Sequence, residues 1–596
     1  MDRKSIPILI VCLLLLVLWP RLVQQFRPPI QVPVTNQVAA ATAPTGTNVV
    51  AGSTNAVPSA AVPPTGATTA TPPHFDPKTP EQTITLSNAN ARYVFTSRGG
   101  GLQSVDLLRF PESLSTIRNA RSSTGEVVTL NDAELLPIGM FLDDSNMQGN
   151  AEYTLTPTAT GVRAEKTLPN GLNIVKDFAV NSNYLVTASV RLENHGTAPL
   201  TLPLREMVVG TATPSGPQER AQMLGVMWYN GKKADQTAST AWFENQSFLS
   251  CVTHNVKPRS IYQGGSNDVV WAASHNQFFT LIAMPAKPVA GVVVRPVDLP
   301  KDEFDTGNKA MPKGCLTTFT YPAVTLAPGQ ENLQTLQLFA GPKEYRTLAG
   351  ISEQLTNNVE VVMGYGGFTG GISRALLLAM NWLHDFISLP YGWCIIAITV
   401  IIKVVFWPLT AASTRSMKRM QALQPQMAAI KEKYKDDPVK MNRKTMEFMK
   451  ENKVSPLGGC LPMVIQLPIF FGFYRMILSA IELRGASFLW IGDLSRPDTL
   501  FMIPYLHVPF NLLPLIMGAT QLWQASLTPP SPGMDPAQQK LMRFMPLMFL
   551  FILYNFSAGL TLYWTIQNLL TVMQTKLTKT QLVAAPAAAA PAKKKK

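Results

Sequence analysis

Cysteine and histidine are scarce in this chain of 596 residues, which holds five of the first and six of the second. The histidines (74, 195, 254, 275, 384, 507) are scattered without a pair at metal-ligand spacing. No Walker loop, GxSxG elbow or HExxH run occurs, so a P-loop nucleotidase, an α/β-hydrolase and a zincin are excluded, and neither a metal nor a cofactor is expected. Five cysteines exclude a disulfide-stapled fold. Cys12, Cys394 and Cys460 lie in or beside apolar runs, which leaves Cys251 and Cys315 as a pair or as two buried thiols. Acids are also few, 37 against 51 Lys and Arg, for a formal charge of +14. Where the cations sit decides between nucleic acid and lipid.

What is abundant is apolar sequence, 46% of residues, much of it in long runs. Arg3 and Lys4 precede the run Ile6 to Trp19 with no cleavage pattern close behind, which reads as a signal anchor over 1–23; a cleaved signal is the alternative. Residues 24–80, rich in Pro, Thr and Ala with almost no charge or aromatic, read as a disordered linker. From 81 to 350, alternating stretches such as "QTITL" and "YLVTASVRL" between "RGGG", "LPNG" and "ENHG" predict one large exported all-β sandwich. His254 or His275 with a carboxylate could serve a sugar enzyme there, or each could be a satisfied core or surface residue.

The period then changes to helical. Ile372, Leu376, Ala379, Leu383 and Phe386 predict an interfacial amphipathic helix over 372–388, with packing against the sandwich as the alternative. Transmembrane helices are predicted at 391–409, 461–481, 510–525, 541–556 and 560–576, six with the anchor. Leu500 to Val508 could extend the helix at 510–525 outward, although Pro504 and Pro509 disfavour a regular helix there.

Cations concentrate on one side of these spans. The loop 411–458 holds eleven Lys and Arg against five acids, and the tail 577–596 is basic, whereas Glu482 to Thr499 has only Arg484 and Arg496 against three acids. The positive-inside rule puts that loop and both termini in the cytoplasm. The loop predicts two helices, Ala411 to Tyr434 and Pro438 to Asn452, with Asp437 as cap and Pro438 as first residue. Met417, Met420, Leu423, Met427 and Ile430 form an apolar stripe that either closes the hairpin or docks a partner. Arg415, Lys418, Arg419, Lys431 and Lys433 are its candidate contact charges.

One charge lies inside a span. Lys403 shares a helical face with Thr399, Trp407 and Thr410, and other spans offer Gln466, Gln521, Gln524, Tyr563, Gln567 and Thr571. Snorkelling would account for the lysine, and helix pairing for each polar residue taken singly. Together they suggest a hydrated groove open to the cytoplasm with one positive charge, suited to carboxylates of an incoming polypeptide. Met542, Met545 and Met548, joined by Pro468 and Phe470, would offer apolar client contacts; lipid packing explains the methionines as well.

The stretches "SPLGGCLPMVIQLPIFFGFY" (455–474), "DPAQQKLMRFMPLMF" and "SAGLTLYWTIQN" resemble the YidC family of bacterial membrane-protein insertases, residue by residue from about Ile372 to Leu577. Over the exported part the resemblance is one of layout. It implies a multi-domain membrane protein of the bacterial inner membrane: a five-helix α-helical core within six transmembrane helices, plus a mutarotase-like supersandwich in the periplasm. It also implies a hydrophilic groove with an embedded Arg, at whose position this chain has Lys403. The family's groove Thr matches Thr399, and its Tyr pair matches Tyr563 and Trp564. Lys keeps the charge and loses the bidentate fork.

The implied function is an insertase and chaperone, not an enzyme. Its partners would be nascent membrane proteins, the Sec translocon, the ribosome and membrane lipids. A small-solute transporter using Lys403, or a membrane-anchored periplasmic carbohydrate-binding protein, are the alternatives.

Overall fold

The computed structural model describes residues 75, 79–112, 114, 126–132, 135–142, 147–215, 223–244, 258–299, 313–435, 437–452, 461–503, 508–527 and 536–578. The signal anchor, nearly all of the linker, Cys251, His254, Cys460 and the tail beyond Thr578 lie outside them.

Strands alternating apolar and polar build the first unit, entirely antiparallel. A nine-stranded sheet runs, in spatial order, through 234–239, 225–229, 271–275, 279–285, 331–342, 185–194, 172–180, 161–167 and 154–157. A five-stranded sheet (262–264, 291–298, 313–321, 205–212, 141–142) faces it, and a four-stranded meander over 83–130 completes the unit. The strand at 185–194 alternates half-buried and buried without exception, the period-two signature of one covered face. The strand Arg205–Ala212 is buried throughout, because other elements cover both of its faces. The expected sandwich is therefore present.

Several polar groups are enclosed in it. Cys315 is a fully buried free thiol pushed up to about 12 by burial. His275 is also buried, its Nδ1 3.3 Å from Lys343 Nζ, and burial together with that lysine lowers its pKa well below the ordinary range. An exposed acid-base role for His275 is thereby excluded. Lys176 donates to the carbonyls of Gly99 (2.7 Å) and Gly139 (2.9 Å) between the rings of Phe141 and Tyr153.

Burial pushes the Lys176 ammonium down from 10.5 to about 7. Between those values the unfolded chain holds a proton that the folded chain releases, so stability rises with pH across this window and is lost as pH falls toward 7. Unfolding of the full chain by urea at pH 7, 8 and 9 is expected to show that rise, and Lys176→Met to flatten it. An unchanged slope in the variant would show that the amine is not the titrating group.

The second unit is helical. Helix α1 (Tyr345–Leu355) leaves the last sandwich strand, and α2 (Gly367–Ile387) buries Leu376, Leu377, Met380 and Leu383 against the bundle. A helix thus covers the stretch 372–388 almost entirely, beginning earlier than Ile372. Helix α3 (Tyr391–Val405) follows through a 119° bend. Gly392 sits so close to Phe488 that a Cβ there would lie 2.3 Å from its ring, which requires glycine.

The expected span 391–409 is corrected here: α3 ends at Val405, Phe406 is non-helical in ψ, and α4 (Trp407–Ala422) restarts at once. Pro408 has no N–H to continue the ladder, so the break falls where the amide is missing. The hairpin then runs as α5 (Gln424–Lys433) and α6 (Pro438–Glu451); its first arm is broken at Leu423, ahead of Pro425, rather than continuous to Tyr434. Asp437 caps α6 as expected, accepting from the Lys440 amide at 3.0 Å with Pro438 at the first position. Met420 and Met427 of the apolar stripe are buried, as is Met449 on α6, whereas Leu423 and Ile430 are half-buried.

Helices α7 (Leu461–Ser479), α8 (Leu512–Leu527), α9 (Pro536–Leu553) and α10 (Ala558–Leu577) correspond to the four later spans. Residues 499–503 and 508–511 pair as an antiparallel ribbon rather than extending α8, in line with the prolines that disfavour a helix there. Among the described residues no single helix is both long and apolar enough to cross a bilayer alone, although the bent pair α2 and α3 together is. Arg484, in the loop after α7, donates to the carbonyls of Pro111 (2.8 Å) and Glu112 (3.2 Å) and covers the Phe279 ring, tying this unit to the sandwich.

Candidate functional site

Helix α10 packs between α3 and α8, while α2 packs on α7 and α3. The polar side chains on α10 recur every three or four residues, so they form one stripe along its length. Lys403, on the last turn of α3, is 6% exposed and donates from Nζ to Thr571 Oγ1 at 2.8 Å. Thr571 passes its own hydrogen to the carbonyl of Gln567 at 2.7 Å. Among the described residues no carboxylate pairs with Lys403. An enclosed cation held by a neutral hydroxyl keeps most of its attraction for an anion that can reach it.

The other expected groove residues divide. Thr399 is buried, its hydroxyl turned back to Ile395 O at 2.6 Å, and Tyr563 is buried, stacked on Phe473 with centroids 4.2 Å apart. Both therefore stand behind the site rather than on an open surface, which corrects their reading as lining. Trp564 is half-buried and faces Phe470 (4.8 Å) and Phe549 (5.5 Å) in an aromatic cluster between α7, α9 and α10. Gln466, Gln521, Gln524 and Gln567 are half-buried. The Gln521 Oε1 is enclosed without a donor among the described residues, which marks a place for water.

Met545 and Met548 on α9 are half-buried, and the side chain of Met542 lies outside the described residues. The open apolar side of α9 is instead Phe544, Leu547 and Phe551, at 60%, 46% and 86% exposure. Phe470 is occupied by Trp564, and Pro468 interrupts the middle of α7. In the hairpin Arg415, Arg419 and Lys433 are exposed, and the Lys431 side chain lies outside the described residues.

Lys418 is not a free contact charge. It donates to the carbonyls of Thr575 (2.9 Å) and Thr578 (2.7 Å) at the C-terminus of α10. Gln574 and Asn568 were missed by the sequence reading: Gln574 Nε2 donates to Thr410 Oγ1 at 2.6 Å, and Asn568 Nδ2 to Thr520 Oγ1 at 3.2 Å. Extending the stripe of Gln567 and Thr571 by one turn would have found Gln574. Arg475 donates to the carbonyls of Gly364 and Gly366 and to the Thr369 hydroxyl, fixing the turn into α2.

Comparison with known proteins places both units. Residues 83–377 match the YidC periplasmic domain family, and residues 382–585 match the 60Kd inner membrane protein family. The membrane protein insertase YidC of Pelobacter propionicus is 32% identical over 601 residues, covering 96% of this chain and 98% of that protein. A crystal structure of an active YidC insertase overlays with a TM-score of 0.34 at 19% identity, covering 83% of this chain and 93% of that one. A galactose mutarotase related enzyme from Lactobacillus acidophilus overlays with a TM-score of 0.27 at 11% identity, covering 44% of this chain and 97% of its own. By its match along nearly the whole length of such relatives, the chain belongs to the YidC family of bacterial inner-membrane protein insertases.

Proposed function

We propose that this protein takes hydrophobic segments of nascent membrane proteins from the cytoplasmic side, lets their short polar tails cross along the face of α10, and releases the apolar segment into lipid. The observation that carries this reading is Lys403: a cation enclosed between α3 and α10 whose partner is a hydroxyl, not an acid. An acidic residue on a client tail finds there a charge that no acid among the described residues neutralises. Gln466, Gln521, Gln524 and Gln567 carry water beside it, and Thr399 and Tyr563 form its backing wall. The open face of α9 at Phe544, Leu547 and Phe551, with Met545 and Met548 beneath, receives the apolar segment.

In this reading the core spans the bilayer with α3 and α7 to α10, the anchor at 1–23 adds the sixth span, and the hairpin and both termini are cytoplasmic. Arg415, Arg419 and Lys433, with the basic tail, face the ribosome and anionic lipid, and the Sec translocon delivers longer clients. The likeness of relatives named insertases supports the activity.

The test uses the full chain in liposomes without ATP and a single-span client with a short acidic tail. Protease-protected client well above the level of empty liposomes is expected. Protection no greater than in empty liposomes would overturn the proposal.

A further inference from the structure

Three contacts fasten the α3–α4 segment to α10, and they lie at successive turns. Lys403 reaches Thr571, Thr410 accepts from Gln574, and Lys418 reaches the carbonyls of Thr575 and Thr578. On α10 these positions are i, i+3, i+4 and i+7, a single face. On the other side, only Phe406 separates the end of α3 from the start of α4. The outermost contact is also electrostatically favoured: Lys418 brings a positive charge to the negative end of the α10 dipole and satisfies carbonyls that a helix leaves without intrahelical donors.

We infer that Lys418 is a positioning residue for the groove charge, so that the root of the cytoplasmic hairpin and Lys403 form one seam along α10. The inference rests on the groove reading of Lys403. While Lys418 caps α10, Thr571 and Gln574 are held in register with α3 and α4, and the ammonium stays at its depth.

A double-mutant cycle on the full chain tests this, with insertion of the acidic-tail client as readout, normalised to the amount of protein in the membrane. Lys418→Met is expected to lower insertion about tenfold, within the coupling seen for residues of one hydrogen-bond network. Lys418→Arg is expected to restore it, because a guanidinium also donates to two carbonyls. Lys403→Ala combined with Lys418→Met should then be no worse than Lys403→Ala alone. If the two defects multiply instead, Lys418 acts separately from the groove charge and the inference fails while the groove reading stands. If Lys403→Ala by itself inserts the client normally, the groove reading fails, and the inference with it.

Discussion

In cells depleted of their own insertase, Lys403→Arg is expected to sustain insertion of acidic-tail clients, Lys403→Met to lower it at least about tenfold, and Lys403→Glu to lower it further. The order follows from charge at an enclosed position. Two opposite charges about 4 Å apart attract by ~4 kcal/mol at the effective dielectric of a protein margin, and reversing the sign of one turns that attraction into repulsion. Arginine keeps the sign and can still donate to Thr571 Oγ1, the hydrogen bond that Lys403 makes at 2.8 Å. The same geometry predicts the opposite order for stability. An enclosed cation without an acid partner is a cost to the fold, so Lys403→Met is expected to melt higher than wild type while inserting less. Loss of insertion with gain of stability cannot arise from misfolding. Thermal unfolding in detergent alongside the insertion assay checks both halves, and a Lys403→Met protein that inserts normally would reduce the lysine to a side chain with no part in transfer.

How much of this was legible in the sequence depended on whether a residue's partner is near or far along the chain. Asp437 and Pro438 could be read correctly because a cap and its helix are within one turn of each other, and the strand at 185–194 because its period is its own. The break at Phe406 had a local cause too, in Pro408, but the apolar composition on both sides concealed it. The ribbon at 499–503 and 508–511 was flanked by prolines that excluded a helix without saying what replaces it.

The distant contacts were out of reach. Lys418 and Thr575 are 157 residues apart, and a lysine among eleven basic residues carries no mark that it will cap another helix. Arg475 likewise finds its carbonyls more than a hundred residues upstream. Trp564 was assigned to the groove from the resemblance, whereas Phe470 and Phe549 around it make an apolar site of which a tyrosine hydroxyl has no need. Lys403 itself was legible, because a charge within an apolar run is visible with no knowledge of its partner.

The sandwich is expected to lose ~3–5 kcal/mol of stability in Arg295→Met, and to recover nearly all of it when Glu206→Leu is added. Glu206 lies on the strand that is buried throughout, with 3% of its side chain exposed, and receives both arms of Arg295 at 2.6 and 2.8 Å and the Thr318 hydroxyl at 2.6 Å. Removing only the guanidinium leaves an enclosed carboxylate with a single neutral donor, and the loss is mostly the cost of that stranded charge. Removing both charges eliminates the stranded group, and apolar side chains of similar volume refill the space. Thr318 is not orphaned in the double variant, because Val293 O already lies 3.4 Å from its hydroxyl. Urea unfolding of the full chain reads the three proteins. If the double variant is as unstable as the single one, the pair contributes net stabilisation and the recovery argument is wrong. Insertion of the acidic-tail client should change little in either variant, since Lys403, Lys418 and their contacts lie on α3, α4 and α10. A parallel loss of insertion would mean that the sandwich, through Arg484 and its hold on Pro111 and Glu112, sets the geometry of the core.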